Sequence, residues 1–221
     1  MTESDAPAPS AEPGPARQAG PRRSRTRMPA AERRASILAA ATEVFSETGY
    51  QRGKVSDIAR RIGVTEPVVF QNFGSKAALY HAVLDHAAAA VTALLDRAAD
   101  AGRPVPDVLA AFLDPDHMDR FHRPGAHGHL FADAAALADD PALGTAVRQV
   151  HLHFAQALAD LLRRGQNAGD IRADVGADTA AWWLVSLLAS RSFRAAVVPD
   201  QDTVEAELTD MALRSLLPDG R

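Results

Sequence analysis

Over residues 29–48 the apolar positions Ile37, Leu38, Ala41, Val44 and Phe45 recur at steps of three and four, which is one face of a helix, and Gly49 follows as its expected stop. Residues 55–76, VSDIARRIGVTEPVVFQNFGSK, carry a different pattern, with two short apolar faces in close succession. Ile58, Ile62, Val64 and Val69 fall at spacings that turn them inward, and Phe73 closes the second face one turn later. Arg60, Arg61, Glu66, Gln71 and Asn72 are left outside. The spacing predicts two helices of about two turns each, with small Ala59 at their crossing and Gly63 in the turn, where φ > 0 is needed. The second helix has its own start: Thr65 as N-cap, Glu66 at the positive end of the dipole, and Pro67 in the first turn, where its missing N–H is not required. Gly74 ends it.

From Ser75, a cap, a long apolar pattern runs through Leu79, Val83, Leu84, Val91 and Leu95 to about residue 100 and stops at Gly102. Further helices are expected over about 105–114, 125–138, 141–168, 177–197 and 201–216, divided by Pro, Gly and Asp-Pro punctuation, with 115–124 irregular or a short helix. Alternating β-branched runs are absent, so the fold class is all-α. Three parts follow: a disordered basic, Pro/Ala-rich arm over 1–28, a three-helix domain over 29–74 in which Tyr50 plugs the end of the first helix, and a helical domain over 75–217. Two long stripes stand out in the last part. Leu143, Val147, Val150, Phe154, Leu158, Leu161 and Leu162 form one, and Ala181, Leu184, Val185, Leu188, Ala189 and Phe193 form the other. Two such helices can pair with their symmetry copies as a four-helix bundle.

Composition narrows the class. The chain is 47% hydrophobic but only 5% aromatic, as packed amphipathic helices are, and it has no cysteine, which removes disulfide, thiolate and cysteine-zinc chemistry. The Pro-, Ala- and Gly-rich start has no signal-like apolar core. The least polar later stretch, 179–190, is too short to cross a membrane, so a cytoplasmic protein without membrane attachment is expected. The net charge of −4 hides an asymmetry: twelve Lys and Arg face five Asp and Glu between residues 17 and 76, leaving +7 there and −8 over 77–221. Positive charge on the helix-turn-helix segment is the electrostatic footprint of a phosphate backbone. Residues 22–27, RRSRTR, form a basic arm that either reaches a minor groove or only solubilises the leader.

Residues 29–84 resemble the DNA-binding region of TetR-family repressors in one long helix, then ValSerAspIleAla, IleGlyVal, a short recognition helix ending in Phe73, and SerLys before a long apolar helix. The resemblance implies a dimeric, ligand-responsive repressor on a palindromic double-stranded operator, with no catalytic residue, cofactor or metal. It also implies that Glu66, Pro67 and Phe70 face bases while Gln71, Asn72 and Lys76 face the backbone. Chemistry agrees with those roles. Glu66 can accept from cytosine N4, Pro67, Val68 and Phe70 can pack on a thymine methyl, and Gln71 or Asn72 can bond adenine or phosphate. Thr65 lies in the same exposed first turn. Two departures stand out: Phe70 occupies a position usually held by tyrosine, and Gly53-Lys54 stands where a Ser or Thr usually caps the second helix. The cap is thereby weakened by about 1 kcal/mol, while Lys54 can reach a phosphate instead.

A lipophilic effector suits an apolar lining between the helix from Ser75 and residues 105–168. The candidates are Phe112, Leu113, Met118, Phe121, Leu130, Phe131 and Phe154, with Trp182 or Trp183 at the edge, though each also suits plain core. Two other classes stay open: a helical metal-dependent enzyme using His117, His122, His127 and His129, and an adaptor whose first domain binds protein.

Overall fold

Gly49 breaks the first helix where the pattern places its stop, and a short helical turn carries the chain on beyond it to Arg52. In the computed structural model, which describes residues 28–117 and 127–218, α1 spans Ala30–Arg52, with Gly49 at φ 72° and ψ 172° inside it. The bend takes the Tyr50 N–H out of the helical ladder and aims it at the Asp133 carboxylate, 2.8 Å away. Then come α2 (Val55–Arg61), α3 (Glu66–Phe73), α4 (Lys76–Asp100) and α5 (Val105–Leu113). The chain continues with α6 (His127–Ala135), α7 (Gly144–Ala168), α8 (Ala177–Ala189), α9 (Arg191–Val197) and α10 (Gln201–Leu216). No strand occurs among the described residues. The arm over 1–27 lies outside them.

The apolar residues form two clusters threaded by α4. The first joins Ile37, Phe45, Ile58, Val69, Phe73 and Leu79 of the N-terminal helices to Leu130, Leu143, Val147 and Val150 from α6, the turn before α7, and α7 itself. The core therefore runs across residue 74 without a break. The second cluster packs Val91 and Leu95 of α4 against Leu109, Leu158, Leu162, Leu184 and Leu216. Because α4 serves both clusters it is long and apolar enough to cross a membrane, which the shorter 179–190 stretch did not signal. Its packing against α1 and α7 accounts for that composition.

Two helix boundaries differ from the pattern. The expected 141–168 helix begins at Gly144, because the Asp140 carboxylate holds the N–H groups of Ala142 and Leu143 in a turn (2.8 and 3.1 Å), and only glycine fits at 144, where a Cβ would lie 2.3 Å from the Ala138 carbonyl oxygen. The expected 177–197 helix divides at Ser190. Ser186 and Ser190 hydroxyls donate back to the carbonyls of Trp182 and Ser186, both at 2.8 Å, a pattern that bends helices. The new direction brings Arg191 and Arg194 of α9 onto Glu205 of α10 at 2.8 and 2.6 Å.

The stripe on α7 is not free for a symmetry copy. Leu143, Val147, Val150, Leu158, Leu161 and Leu162 are all 2% exposed or less within the single chain, as are Ala181 and Leu184 of α8. On α7, α8 and α9 the large apolar groups left open are Leu152, Trp182, Trp183, Phe193 and Val197, between 41% and 67% exposed. A period of 3.6 shows that a face is apolar, not which partner covers it.

Candidate nucleic-acid interface

Gly63 sits at φ 69° and turns α2 into α3, while the N–H of Val64 reaches back to Ala59 at 3.0 Å. Thr65 has the extended backbone of an N-cap, but its hydroxyl makes no capping bond; its carbonyl receives the N–H groups of Val68 and Val69. The expected Thr65 side-chain cap is thus absent, and α3 starts on Pro67, the Glu66 charge and backbone geometry. At the far end Gly74, at φ 80°, donates to Phe70 O at 2.7 Å, and the Ser75 hydroxyl caps α4 through Ala78 N–H at 3.0 Å.

Arg34 of α1 went unnoticed in the pattern. Its guanidinium donates to the Asn72 carbonyl, an otherwise open helix-end acceptor, and lies 4.0 Å above the Phe73 ring. It clamps the recognition helix to α1. The Asn72 amide is turned back to Val68 O at 2.7 Å, so the side chain expected to face a backbone is engaged on its own helix. Arg61 bridges to Glu43 and Glu47 of α1 at 3.0 and 2.9 Å, and the hydrogen bond from Arg61 holds the Glu47 carboxyl below its usual range. It is a strut between helices, whereas Arg60 pairs with Asp57 on its own helix.

An open groove of about 560 Å³ lies where the end of α1, the start of α2, α3 and the start of α4 meet. Lys54, Glu66, Phe70 and Lys76 line it, together with Arg52 and with Ser56, which the motif alone did not single out. Thr65, Pro67 and Gln71 are exposed beside it and Val68 is half-buried. Phe70 is 40% exposed on a helix whose neighbours Val69 and Phe73 are buried, so its ring is presented to the groove side. The Lys76 ammonium rests 4.5 Å over the Tyr50 ring and 3.3 Å from the Gln51 carbonyl; partial burial lowers its pKa from the ordinary lysine value.

The Gly53 departure has a packing cause. A Cβ there would meet the buried Phe45 ring at 2.6 Å and the Gly49 carbonyl at 2.9 Å, so neither Ser nor Thr fits. Gly53→Ala is expected to cost about 1–3 kcal/mol by overpacking. Thermal unfolding followed by circular dichroism should show a Tm lower by about 2–4 °C per kcal/mol.

The expected effector residues separate into several places. Phe112, Phe154 and Phe131 lie in series, ring centroids 6.2 and 6.3 Å apart, and Phe112 walls a cavity of about 150 Å³ between α4 and α5 with Leu94, Leu95, Arg103 and His117. Leu113 instead lines a void of about 10 Å³ beside Arg191 and Glu205, and Leu130 is fully buried in the first cluster. Trp182 and Trp183 line neither cavity. With Ala181, Leu184 and Val185 turned inward, the positions between them must face outward. Met118 and Phe121 lie outside the described residues, as do His122 and the side chains of His127 and His129.

A short helix pair offering an apolar and acidic tip between cationic flanks, on a long helix shared with a second apolar cluster, is the architecture of a helix-turn-helix DNA-binding regulator. Residues 37–83 match the model for bacterial regulatory proteins of the tetR family, and residues 116–218 match the C-terminal domain of SbtR-like transcriptional regulators. The chain belongs to the TetR family of transcriptional regulators, DNA-binding proteins and not enzymes. It is 30% identical over 183 residues to the HTH-type transcriptional activator FasR of Mycolicibacterium smegmatis, covering 77% of this chain and 81% of FasR. It is 29% identical to the HTH-type transcriptional repressor Rv1474c of Mycobacterium tuberculosis, covering 80% and 90% of the two chains. The crystal structure of a TetR regulator from Chloroflexus aurantiacus shares the fold, with a TM-score of 0.68, 24% identity and coverage of 86% and 98%. One relative is named an activator and the other a repressor, so kinship alone does not set the sign of regulation.

Proposed function

We propose that this chain is a cytoplasmic, ligand-responsive repressor that binds a palindromic operator as a homodimer and leaves it when a small lipophilic molecule binds. The groove carries the DNA reading: cations Arg52, Lys54 and Lys76 flank Glu66 and the exposed Phe70. Phosphate contacts from Lys54, Gln71, Asn72 and Lys76 set register, and Glu66, Pro67, Val68 and Phe70 read base edges, with Thr65 at the helix start. Asn72 can engage DNA through its second amide N–H while the first stays on Val68 O.

One recognition helix reads too few base pairs, and two copies about 34 Å apart read a palindrome. The exposed apolar side chains of Leu152 on α7, Trp182 and Trp183 on α8 and Phe193 on α9 support pairing of two chains through these helices. The 150 Å³ cavity between α4 and α5 supports an effector site. Drug-sized ligands need about 300 Å³ or more, so binding of one is expected to spread α4 from α5. That movement is carried along α4 to Lys76 and shifts the half-sites, at a coupling of about 1–3 kcal/mol.

Selection of bound sequences from a random DNA pool tests the reading, and a palindrome is expected. In band shifts on that site at several salt concentrations, Lys76→Ala should weaken all sequences alike and reduce the salt slope by about 1, whereas Glu66→Ala should relax preference at one base pair. Failure to enrich any palindrome, or equal loss of preference in both variants, overturns it.

A further inference from the structure

We propose that Asp133 is a positioning residue for DNA binding: from α6 its carboxylate takes the main-chain N–H of Tyr50 and the hydroxyl of Tyr80, and so sets the aromatic seat of Lys76. The role of Lys76 rests on the reading above; the seat itself does not.

The contacts are long in sequence and short in space. Oδ2 of Asp133 lies 2.8 Å from Tyr50 N and 2.9 Å from the Tyr80 hydroxyl, across 83 and 53 residues. The Tyr50 N–H needs an acceptor because the bend at Gly49 has taken its helical one away. The backbone at 49 is shaped for the carboxylate: a Cβ there would sit 2.6 Å from Oδ1. Tyr80 is fully buried, and burial first, then the Asp133 charge and hydrogen bond, push its phenol well above the ordinary range, so it remains a donor. The Tyr80 ring meets the Tyr50 ring at 4.9 Å and Phe45 edge-on at 5.1 Å, and the Lys76 ammonium lies 4.5 Å over the Tyr50 ring. Asp133 thus reaches the groove through Tyr50.

The same helix reaches the cavity. Two residues before Asp133, Phe131 stacks with Phe154, which meets Phe112 in the cavity wall. A displacement of α6 at Phe131 must therefore also move the acceptor of Tyr50.

The test uses the full-length chain with Asp133→Ala, Asp133→Asn and Lys76→Ala, well below the lowest Tm. Two readouts serve: amide hydrogen exchange at Tyr50, and affinity with its salt slope on the selected operator. Asp133→Ala should speed Tyr50 exchange at least tenfold and weaken operator binding about tenfold. Asp133→Asn, whose amide oxygen can accept both bonds, should stay within about threefold of wild type in both. Added to Lys76→Ala, the Asp133→Ala change should cost less than twofold further affinity. Unchanged Tyr50 exchange in Asp133→Ala, an Asn variant as impaired as the Ala variant, or an undiminished tenfold loss in the Lys76→Ala background overturns the proposal. If Asp133→Ala does not fold, Tyr80→Phe replaces it, with the same direction expected at Tyr50. If no operator is bound at all, the reading of the groove fails while Tyr50 exchange still decides the role of Asp133 as its acceptor.

Discussion

Glu205→Ala should lower the unfolding free energy by about 3–5 kcal/mol, because it strips the shared acceptor from two guanidinium groups held inside the protein. Arg191 and Glu205 are each 4% exposed, and the carboxylate receives Arg191 at 2.8 Å and Arg194 at 2.6 and 3.0 Å. Arg194 keeps the Leu187 carbonyl, which carries no full countercharge, and Arg191 also donates to Pro115 O. Against a total of about 5–15 kcal/mol for a domain, the loss is a large fraction. Urea unfolding should show a lower midpoint at unchanged slope. Glu205→Gln, which keeps the shape and one acceptor, should lose less. An Ala variant with the wild-type midpoint would show that the pair is not desolvated as it stands here.

Gly49→Ala should cost about 2–6 kcal/mol, the sum of a backbone at φ 72° and ψ 172° that essentially only glycine adopts and overpacking against Asp133. Gly63 also has a positive φ, 69°, yet nothing lies within 4 Å of a Cβ built there, so Gly63→Ala should carry a backbone cost of about 1–2 kcal/mol without overpacking and lose less than Gly49→Ala. Paired thermal unfolding of the two variants measures the difference. Equal Tm losses would mean that Asp133 yields freely, and the packing argument at Gly49 would fail.

The most legible features were local. Gly63 in the turn, Gly74 after α3, Pro67 in its first turn and the Ser75 cap each act within a few residues of themselves, and each has the geometry its residue type demands. Four of the groove residues, Lys54, Glu66, Phe70 and Lys76, came from the same short window, since one motif of about 22 residues brings them together. Ser56 was missed because its place on the groove depends on how α1 meets α2. Arg34 was missed because its partners, Asn72 and Phe73, lie 38 and 39 residues away, and an exposed arginine on a helix has no periodic signature. Thr65 shows the opposite error: the right residue type in the right place whose hydroxyl makes no cap.

The amino-acid sequence by itself determined the helical class, the reading head and its family, and the concentration of positive charge around it, because periodicity, turn chemistry and composition act over a few residues. Only the tertiary structure decided which apolar faces are spent inside the chain and which stay open, why Gly49 and Gly53 must be glycine, and that Asp133 and Glu205 sit inside polar contacts between distant helices. Those outcomes depend on which segments meet across 10 to 80 residues. A helical stripe or a lone carboxylate states a need for a partner, and only packing selects the partner that meets it.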